Sequence, residues 1–189
     1  DTFSFSTIFG ITEPQFRTIL LDILEEDVTG QEWCISDYII IELEGKPAGT
    51  LCAWVEGSGL KSSSILKGTI MQYYFPKEAI EKAQQNKALI DAIAFNRTQG
   101  TLIVDSVYIA DEFRMRGLFR KLLDATLNNF RELNPEVKIC NLTVLKSNQI
   151  AITAYLNAGF NIVEEKVCED QNILMLLPSN TRVLMQKTI

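Results

Sequence analysis

The sequence predicts an α/β domain of the α+β type, built on a mixed sheet that is parallel in part. Three observations predict it. A hairpin is legible at residues 36–56, where β-rich runs at 38–43 and 50–55 flank the turn Gly45-Lys46-Pro47. From residue 101 onward apolar strand runs alternate with helical segments, an order that brings successive strands side by side across an intervening helix. The scale also fits: 189 residues, 47% hydrophobic and 22% charged, suffice for one domain with its own core.

Taken in order, residues 1–11 mix Phe, Ser and Thr, and Phe3 and Phe5 alternate as in a short strand that Gly10 ends. Thr12-Glu13-Pro14-Gln15 reads as a capping box. Phe16, Ile19, Leu20, Ile23 and Leu24 then recur at helical spacing, so a helix is expected over 13–26, ended by Gly30. Residues 60–75 are expected to be irregular. Pro76 opens a helix over 77–94 that is rich in strong helix formers. Residues 101–109 form a buried-strand run, with Leu102, Ile103, Val104, Val107 and Ile109. A loop at 110–116 and a helix at 117–133 follow, with Leu118, Lys121, Leu122, Ala125 and Phe130 near one face and Pro135 closing it. A buried strand at 138–145, a helix at 148–158 with Gly159 at its C′ position, and strands at 160–167 and 181–187 complete the chain. The chain opens on Asp1 rather than Met, and a first strand ahead of the helices is expected to be missing or weak.

Composition removes several function classes. A net charge of −6 disfavours nucleic acid as a partner, because phosphate backbones need a basic surface. No apolar run reaches the length of a membrane span and no signal peptide is visible, so no membrane partner is expected. Cys34, Cys52, Cys140 and Cys168 are far apart and form no C-x-x-C pair, which suits buried free thiols in a reducing, cytoplasmic compartment. The chain has no histidine at all. Ser-His-Asp and Cys-His catalysis and His-ligated zinc are thereby removed, and no metal is expected. Proton transfer falls to carboxylates, Tyr, Cys, Lys, backbone or water.

Two segments carry chemistry. In the first, the strand ending Val107-Tyr108-Ile109 runs through a short loop into a helix, and Arg114, Arg116, Arg120 and Lys121 put four cations within eight residues. Backbone N–H groups at a helix N-terminus make an anion site, and Gly117 lets the backbone approach a phosphate closely. A solvated basic helix face explains the same charges equally well. In the second, Asn148, Ala151 and Tyr155 recur at i, i+3 and i+7, with Gly159-Phe160 directly after. Taken alone, that spacing also suits simple core packing by Tyr155.

Together the segments resemble the GNAT superfamily of acyl-CoA N-acyltransferases. Arg114, Gly117 and Phe119 resemble its R/Q-x-x-G-x-G/A pyrophosphate loop, and Asn148, Ala151, Tyr155, Gly159 and Phe160 resemble its N-x-x-A-x-x-x-Y-x-x-x-G-F helix. The resemblance covers residues 38–167. Phe119 departs from it, since the family usually has Gly or Ala there, and its ring either points into the core or narrows the loop.

The resemblance implies a mostly antiparallel sheet with a central parallel strand pair that splays apart, flanking helices, and one domain over 1–189. It implies acetyl-CoA as co-substrate, its pantetheine arm lying between strands 101–109 and 138–145. Val107 and Ile109 would then offer backbone hydrogen bonds to the arm, and an N–H near Val107 would polarise the thioester carbonyl. The loop Arg114, Met115, Arg116, Gly117, Leu118 and Phe119 would hold the pyrophosphate. Arg120 or Lys121 would reach the 3′-phosphate, and Asn148 and Ala151 would border the arm or the loop. Tyr155 is expected to act as general acid on the departing thiolate. Among strand-region carboxylates, Asp105 is the first candidate for general base. Glu42 and Glu56 are expected in surface or hairpin roles, and Cys52 and Cys140 in packing.

The expected function is transfer of an acetyl group from acetyl-CoA to a primary amine, on a small molecule or a protein, by direct attack in a ternary complex. Residues 57–98 form an insertion long enough for an acceptor-side lid or a homodimer surface. Its cluster Tyr73-Tyr74-Phe75 either lines a pocket or packs the core. The alternatives are a non-catalytic acyl-CoA-binding or regulatory module, and a structural domain that has kept only the fold.

Overall fold

The computed structural model describes residues 4–59 and 61–189. Phe3, in the strand expected at the N-terminus, lies outside the described residues, and Phe5 sits in a helix, α1 (Ser4–Phe9). Helix α2 (Glu13–Glu26) begins at the legible cap: the Thr12 backbone N–H donates to the Gln15 side chain at 3.0 Å and the Gln15 N–H donates to Thr12 Oγ1 at 3.4 Å. Removing this cap in Thr12→Ala is expected to lower stability by about 1 kcal/mol, read as a shifted midpoint in urea unfolding.

The hairpin follows as β1 (Tyr38–Leu43) and β2 (Lys46–Val55). Residues 63–74, expected to be irregular, instead form helix α3 (Ser63–Tyr74). Gly68, Ser63 and Ser64 weaken its intrinsic propensity, and tertiary contacts supply the rest. Ile70 packs into a cluster with Phe16, Ile23, Trp33 and Phe75, and the Ser63 N–H donates to the Glu56 carboxylate at 3.0 Å. A carboxylate from outside the helix thus caps its positive end. The helix expected over 77–94 breaks into α4 (Lys77–Gln85) and α5 (Lys87–Ala92) at Asn86, whose side-chain amide donates to the Ile8 carbonyl of α1 at 3.0 Å.

The second half follows the predicted alternation: β3 (Leu102–Ile109), α6 (Leu118–Leu133), β4 (Ile139–Leu145), α7 (Gln149–Asn157), β5 (Asn161–Val167) and β6 (Thr181–Thr188). The strands form one six-stranded sheet in the order β1-β2-β3-β4-β6-β5, and only the β3–β4 pair is parallel. Helices α6 and α7 cover one face. The buried stripe of α6 is Leu118, Leu122, Leu123, Thr126 and Leu127, whereas Lys121 and Ala125 are exposed. The predicted stripe was therefore rotated from the real one. Leu122, Leu123 and Leu127 are at most 2% exposed, and each adds about 1.5–3 kcal/mol of burial against β3, β4 and β6. Helices α1 to α4 gather into a second apolar cluster, while α5 joins Ile93, Cys168 and Ile173 in a third.

An irregularity in β3 positions the site. Thr50 pairs with Tyr108 and Cys52 with Asp105, so β3 has one residue more than β2 over this interval. Ser106 takes φ 50° there, and its N–H donates to Asp105 Oδ1 at 2.7 Å. This bulge shifts the strand's alternation. Leu102 and Val104 before it, and Val107 and Ile109 after it, all pack toward α6 and α7. Ile103 and Asp105 face the opposite side, into a cavity.

Candidate active site

Among the described residues, β3 and β4 pair at two positions, Leu102 with Cys140 and Ile103 with Asn141. Both positions lie near the strands' N-terminal ends. Beyond them the strands part, and the gap opens toward their C-terminal ends with main-chain groups left without a partner strand. An unpaired strand edge is a template for an extended ligand. Val107 and Ile109 stand on β3 along this opening.

The loop from Ala110 leads directly from its wide end into α6. Arg114, Met115, Arg116 and Gly117 are exposed, while the Leu118 side chain packs under the loop on Ala48 and Phe113. The backbone N–H groups from Met115 to Arg120 donate to no described residue. Three belong to the first turn of α6, where no intrahelical acceptor exists. Met115 at φ 60° and Gly117 at φ 71° turn the chain through the left-handed region, and Gly117 does so without a Cβ penalty. The cations divide into two kinds. Arg114 is paired with Asp111 at 2.7 Å and donates to the Ile109 carbonyl, and Arg120 chelates Asp124. Arg116 lies over the Phe113 ring at 5.6 Å and, like Lys121, has no ion pair among the described residues. Arg116, Lys121 and the amides are thus the groups available to an anion.

Tyr155 is fixed from the other side of the opening. The Phe160 N–H donates to the Tyr155 carbonyl and the Gly159 N–H to the Leu156 carbonyl, a Schellman ending with Gly159 at φ 88°. A Cβ at position 159 would stand 2.7 Å from Lys187 Nζ. The Tyr155 ring is held edge-on by Phe119 at 5.4 Å and by Phe160 at 6.1 Å. Phe119 therefore points inward as a wall for Tyr155 rather than narrowing the loop. Burial, with Asp105 adding to it, pushes the Tyr155 phenol up to about 12, so it carries its proton at neutral pH. Asn148 is exposed, and its Oδ1 accepts from the Ala151 N–H at 3.1 Å, which makes it the N-cap of α7. Ala151 packs with Tyr155 against the main core.

On the opposite face, a cavity of about 290 Å³ lies over the point where the strands part. Asp105 and Arg97 line it, and Arg97 Nη2 donates to Asp105 Oδ2 at 3.3 Å. Arg97 also pairs with Glu32, donates to Ser63 Oγ at 2.8 Å and covers the Trp54 ring at 4.8 Å. Lys67 pairs with Glu32 behind it. Loss of water pushes the Asp105 pKa up, Glu32 pushes it further, and Arg97 and Lys67 pull against both. Glu32 is the more deeply buried of the two, its side chain 9% exposed against 37% for Asp105, but Lys67 and Arg97 outweigh the loss of water and hold its pKa below the usual range.

Residues 64–176 match the family model for an acetyltransferase (GNAT) domain. The chain belongs to the GNAT acetyltransferases. Solved structures agree in fold. An N-acetyltransferase from Staphylococcus aureus Mu50 superposes with a TM-score of 0.57 at 15% identity, covering 90% of this chain and 81% of that one. A ribosomal-protein-alanine N-acetyltransferase from Brucella melitensis gives 0.51 at 16% identity, covering 94% and 80%. An acetyltransferase from Bacillus anthracis str. Ames, solved in complex with acetyl coenzyme A, gives 0.52 at 11% identity, covering 80% and 62%. A comparison with curated proteins finds no match.

Strand β3 carries Val107 and Ile109 on the α6/α7 side, where Tyr155 packs with Phe119, and Asp105 into the cavity on the opposite face, close enough for its charge to act on Tyr155. Among the cavity residues that escaped sequence reasoning are Arg97, Asn141 and Arg182. Each is a single polar residue from a separate segment, and no spacing links them. Glu56, expected at the surface or in the hairpin, is 3% exposed and accepts from Trp54 Nε1 and from the Ser63 N–H. Glu42 is exposed on β1. All four cysteines are buried and free. Burial pushes the Cys34 and Cys140 thiols up to about 12 and Cys52 higher still, which leaves none of these three as a ready nucleophile. Of the aromatic cluster, Phe75 is core, Tyr73 is exposed, and Tyr74 donates to Glu26 at 2.8 Å.

Proposed function

We propose that the protein transfers the acetyl group of acetyl-CoA to a primary amine seated in the cavity beside Asp105, by direct attack in a ternary complex. One observation carries this reading. A strand pair that parts after two paired positions has an amide-rich cationic loop at its wide end and a cavity with a raised-pKa carboxylate on its far face.

In this reading the N–H groups from Met115 to Phe119 and the Arg116 guanidinium hold the pyrophosphate, with Arg114 released from Asp111 to join them. The β3 main chain at Val107 and Ile109 pairs with the pantetheine arm, and Asn148 and Ala151 border it from α7. An ammonium acceptor gives a proton to Asp105. The free amine then attacks the thioester carbon, and its oxygen draws on a main-chain N–H near Val107. As the carbon–sulfur bond breaks, the now cationic nitrogen releases its second proton to water, Tyr155 gives its proton to the sulfur and regains one from solvent, and Asp105 returns the first proton to solvent. Orientation of two bound reactants supplies much of the acceleration. Ser62, Ser64, Phe95, Asn96 and Arg97 all line the cavity, which supports residues 57–98 as an acceptor-side insertion. Four buried free thiols support a reducing, cytoplasmic setting.

Calorimetry with acetyl-CoA, followed by turnover on an amine panel, tests the reading. Failure to bind acetyl-CoA at millimolar concentration overturns it. Arg116→Ala is expected to weaken acetyl-CoA binding by roughly tenfold, the scale of one charged hydrogen bond, with the midpoint of unfolding unchanged.

A further inference from the structure

The cavity's charges balance in number, but one of them, Arg182, makes no direct pair among the described residues. It lies on β6 opposite Leu145, between the core residues Thr181 and Val183, so its side chain points to the cavity face. The other ionised groups there are already satisfied. Asp105 and Glu32 are matched by Arg97 and Lys67, and Glu56 receives the Trp54 and Ser63 donors. Arg182 has no hydrogen bond, ion pair or ring contact from its side chain among the described residues. It is half-buried, and loss of water disfavours its charge, with Asp105 the anion that favours it.

A guanidinium withdrawn from water without a carboxylate costs stability, and its planar fork suits a carboxylate bidentately. Strands β3 and β6 flank β4, but β3 and β4 have parted by Asp105 and Arg182 lies opposite Leu145 at the end of β4, so the two side chains rise from backbones more than about 10 Å apart and their length closes part of that gap. Both side chains reach one cavity of about 290 Å³, near the lower limit for a small-molecule site. A ligand that meets both must carry its cation and anion a few bonds apart.

Resting on the acetyltransferase reading above, we propose that the acceptor is a small amine bearing a carboxylate, of the amino-acid class, with the carboxylate held by Arg182 and the amine presented to Asp105. The proton balance is unchanged. The carboxylate takes no part in the bond changes and serves only to orient the nitrogen.

The test compares the common amino acids with their methyl esters as acceptors, in the wild-type protein and in Arg182→Gln. In parallel, the N-acetyl amino acids and their methyl esters are titrated calorimetrically into the CoA complex of each protein. The free acids should be preferred by wild type, through KM more than kcat. Arg182→Gln should erase roughly ten- to hundredfold of that preference, and Arg182→Lys should restore part of it. Acetyl-CoA affinity should be the same in all three proteins, which separates the effect from misfolding. Equal use of acids and esters by wild type overturns the proposal and leaves the transferase reading standing. Carboxylate-dependent binding that Arg182→Gln abolishes, without turnover of any amine, overturns the transferase reading and the acceptor proposal with it. No carboxylate-dependent binding or turnover across the whole panel also overturns the proposal.

Discussion

Asp105→Asn is expected to lower kcat/KM roughly 100- to 1000-fold near neutral pH, the range for loss of a general base, while acetyl-CoA binds as before. The substitution keeps the shape of a side chain that Arg97 and the Ser106 N–H hold in place, and it removes the proton acceptor. Desolvation first, then Glu32, pushes this carboxyl above its ordinary range. A carboxylate is a base only when deprotonated, so kcat/KM of the wild type should rise with pH through that elevated value. Asp105→Asn should lose this acid limb. Glu32→Gln removes the neighbouring anion and should move the limb to lower pH. Stability separates chemistry from unfolding. A folded-state pKa above the unfolded one favours the folded state below the unfolded value, and that contribution is lost as pH rises through the folded value. Above that elevated value the ionised Asp105 therefore adds no stability through its titration, and there Asp105→Asn should not unfold the protein. An Asp105→Asn protein that keeps its rate and its acid limb would remove the base assignment.

Tyr155→Phe is expected to reduce kcat roughly 100-fold with little change in the KM for acetyl-CoA. The phenyl ring preserves the edge-on packing with Phe119 and Phe160, so only the hydroxyl is lost. That hydroxyl makes no hydrogen bond to any described residue, and with a pKa near 12 it carries its proton at neutral pH. Protonating the departing sulfur matters most when the thiolate is basic. The deficit should therefore shrink for an acetyl thioester of a more acidic thiol. Full turnover by Tyr155→Phe on acetyl-CoA would reassign the proton to solvent.

What the sequence disclosed follows from how local each signal is. The cap at Thr12, the strand run 102–109 and the Gly159 helix ending are set by residues within one turn of one another, and they appear where the pattern put them. So does the amide-rich loop at Gly117. Helix α3 was illegible because its cap comes from Glu56 and its fixing contacts from Phe16 and Phe75. Helix α4 ends where Asn86 meets Ile8, a partner 78 residues away. In the site, Asp105 and Tyr155 could be placed because motifs flank them. Arg97, Glu32 and Arg182 could not, since a charge that acts from a distant segment leaves no period. The inward turn of Phe119 was equally hidden, because it depends on the neighbouring ring of Tyr155.

The extra residue at Ser106 divides β3 into two independently phased halves. The half before it presents Asp105 to the cavity, and the half after it lines the opening between the strands. Such a strand works like a shaft with an offset coupling. In the proposed reading, a change at Ile103 alters the cavity without rotating the backbone at Val107 and Ile109, and the reverse holds too. Straightening the strand with Ser106 kept would lock the two halves into one phase and swing Asp105 and Val107 onto the same side, whereas deleting Ser106 would leave them adjacent and on opposite faces.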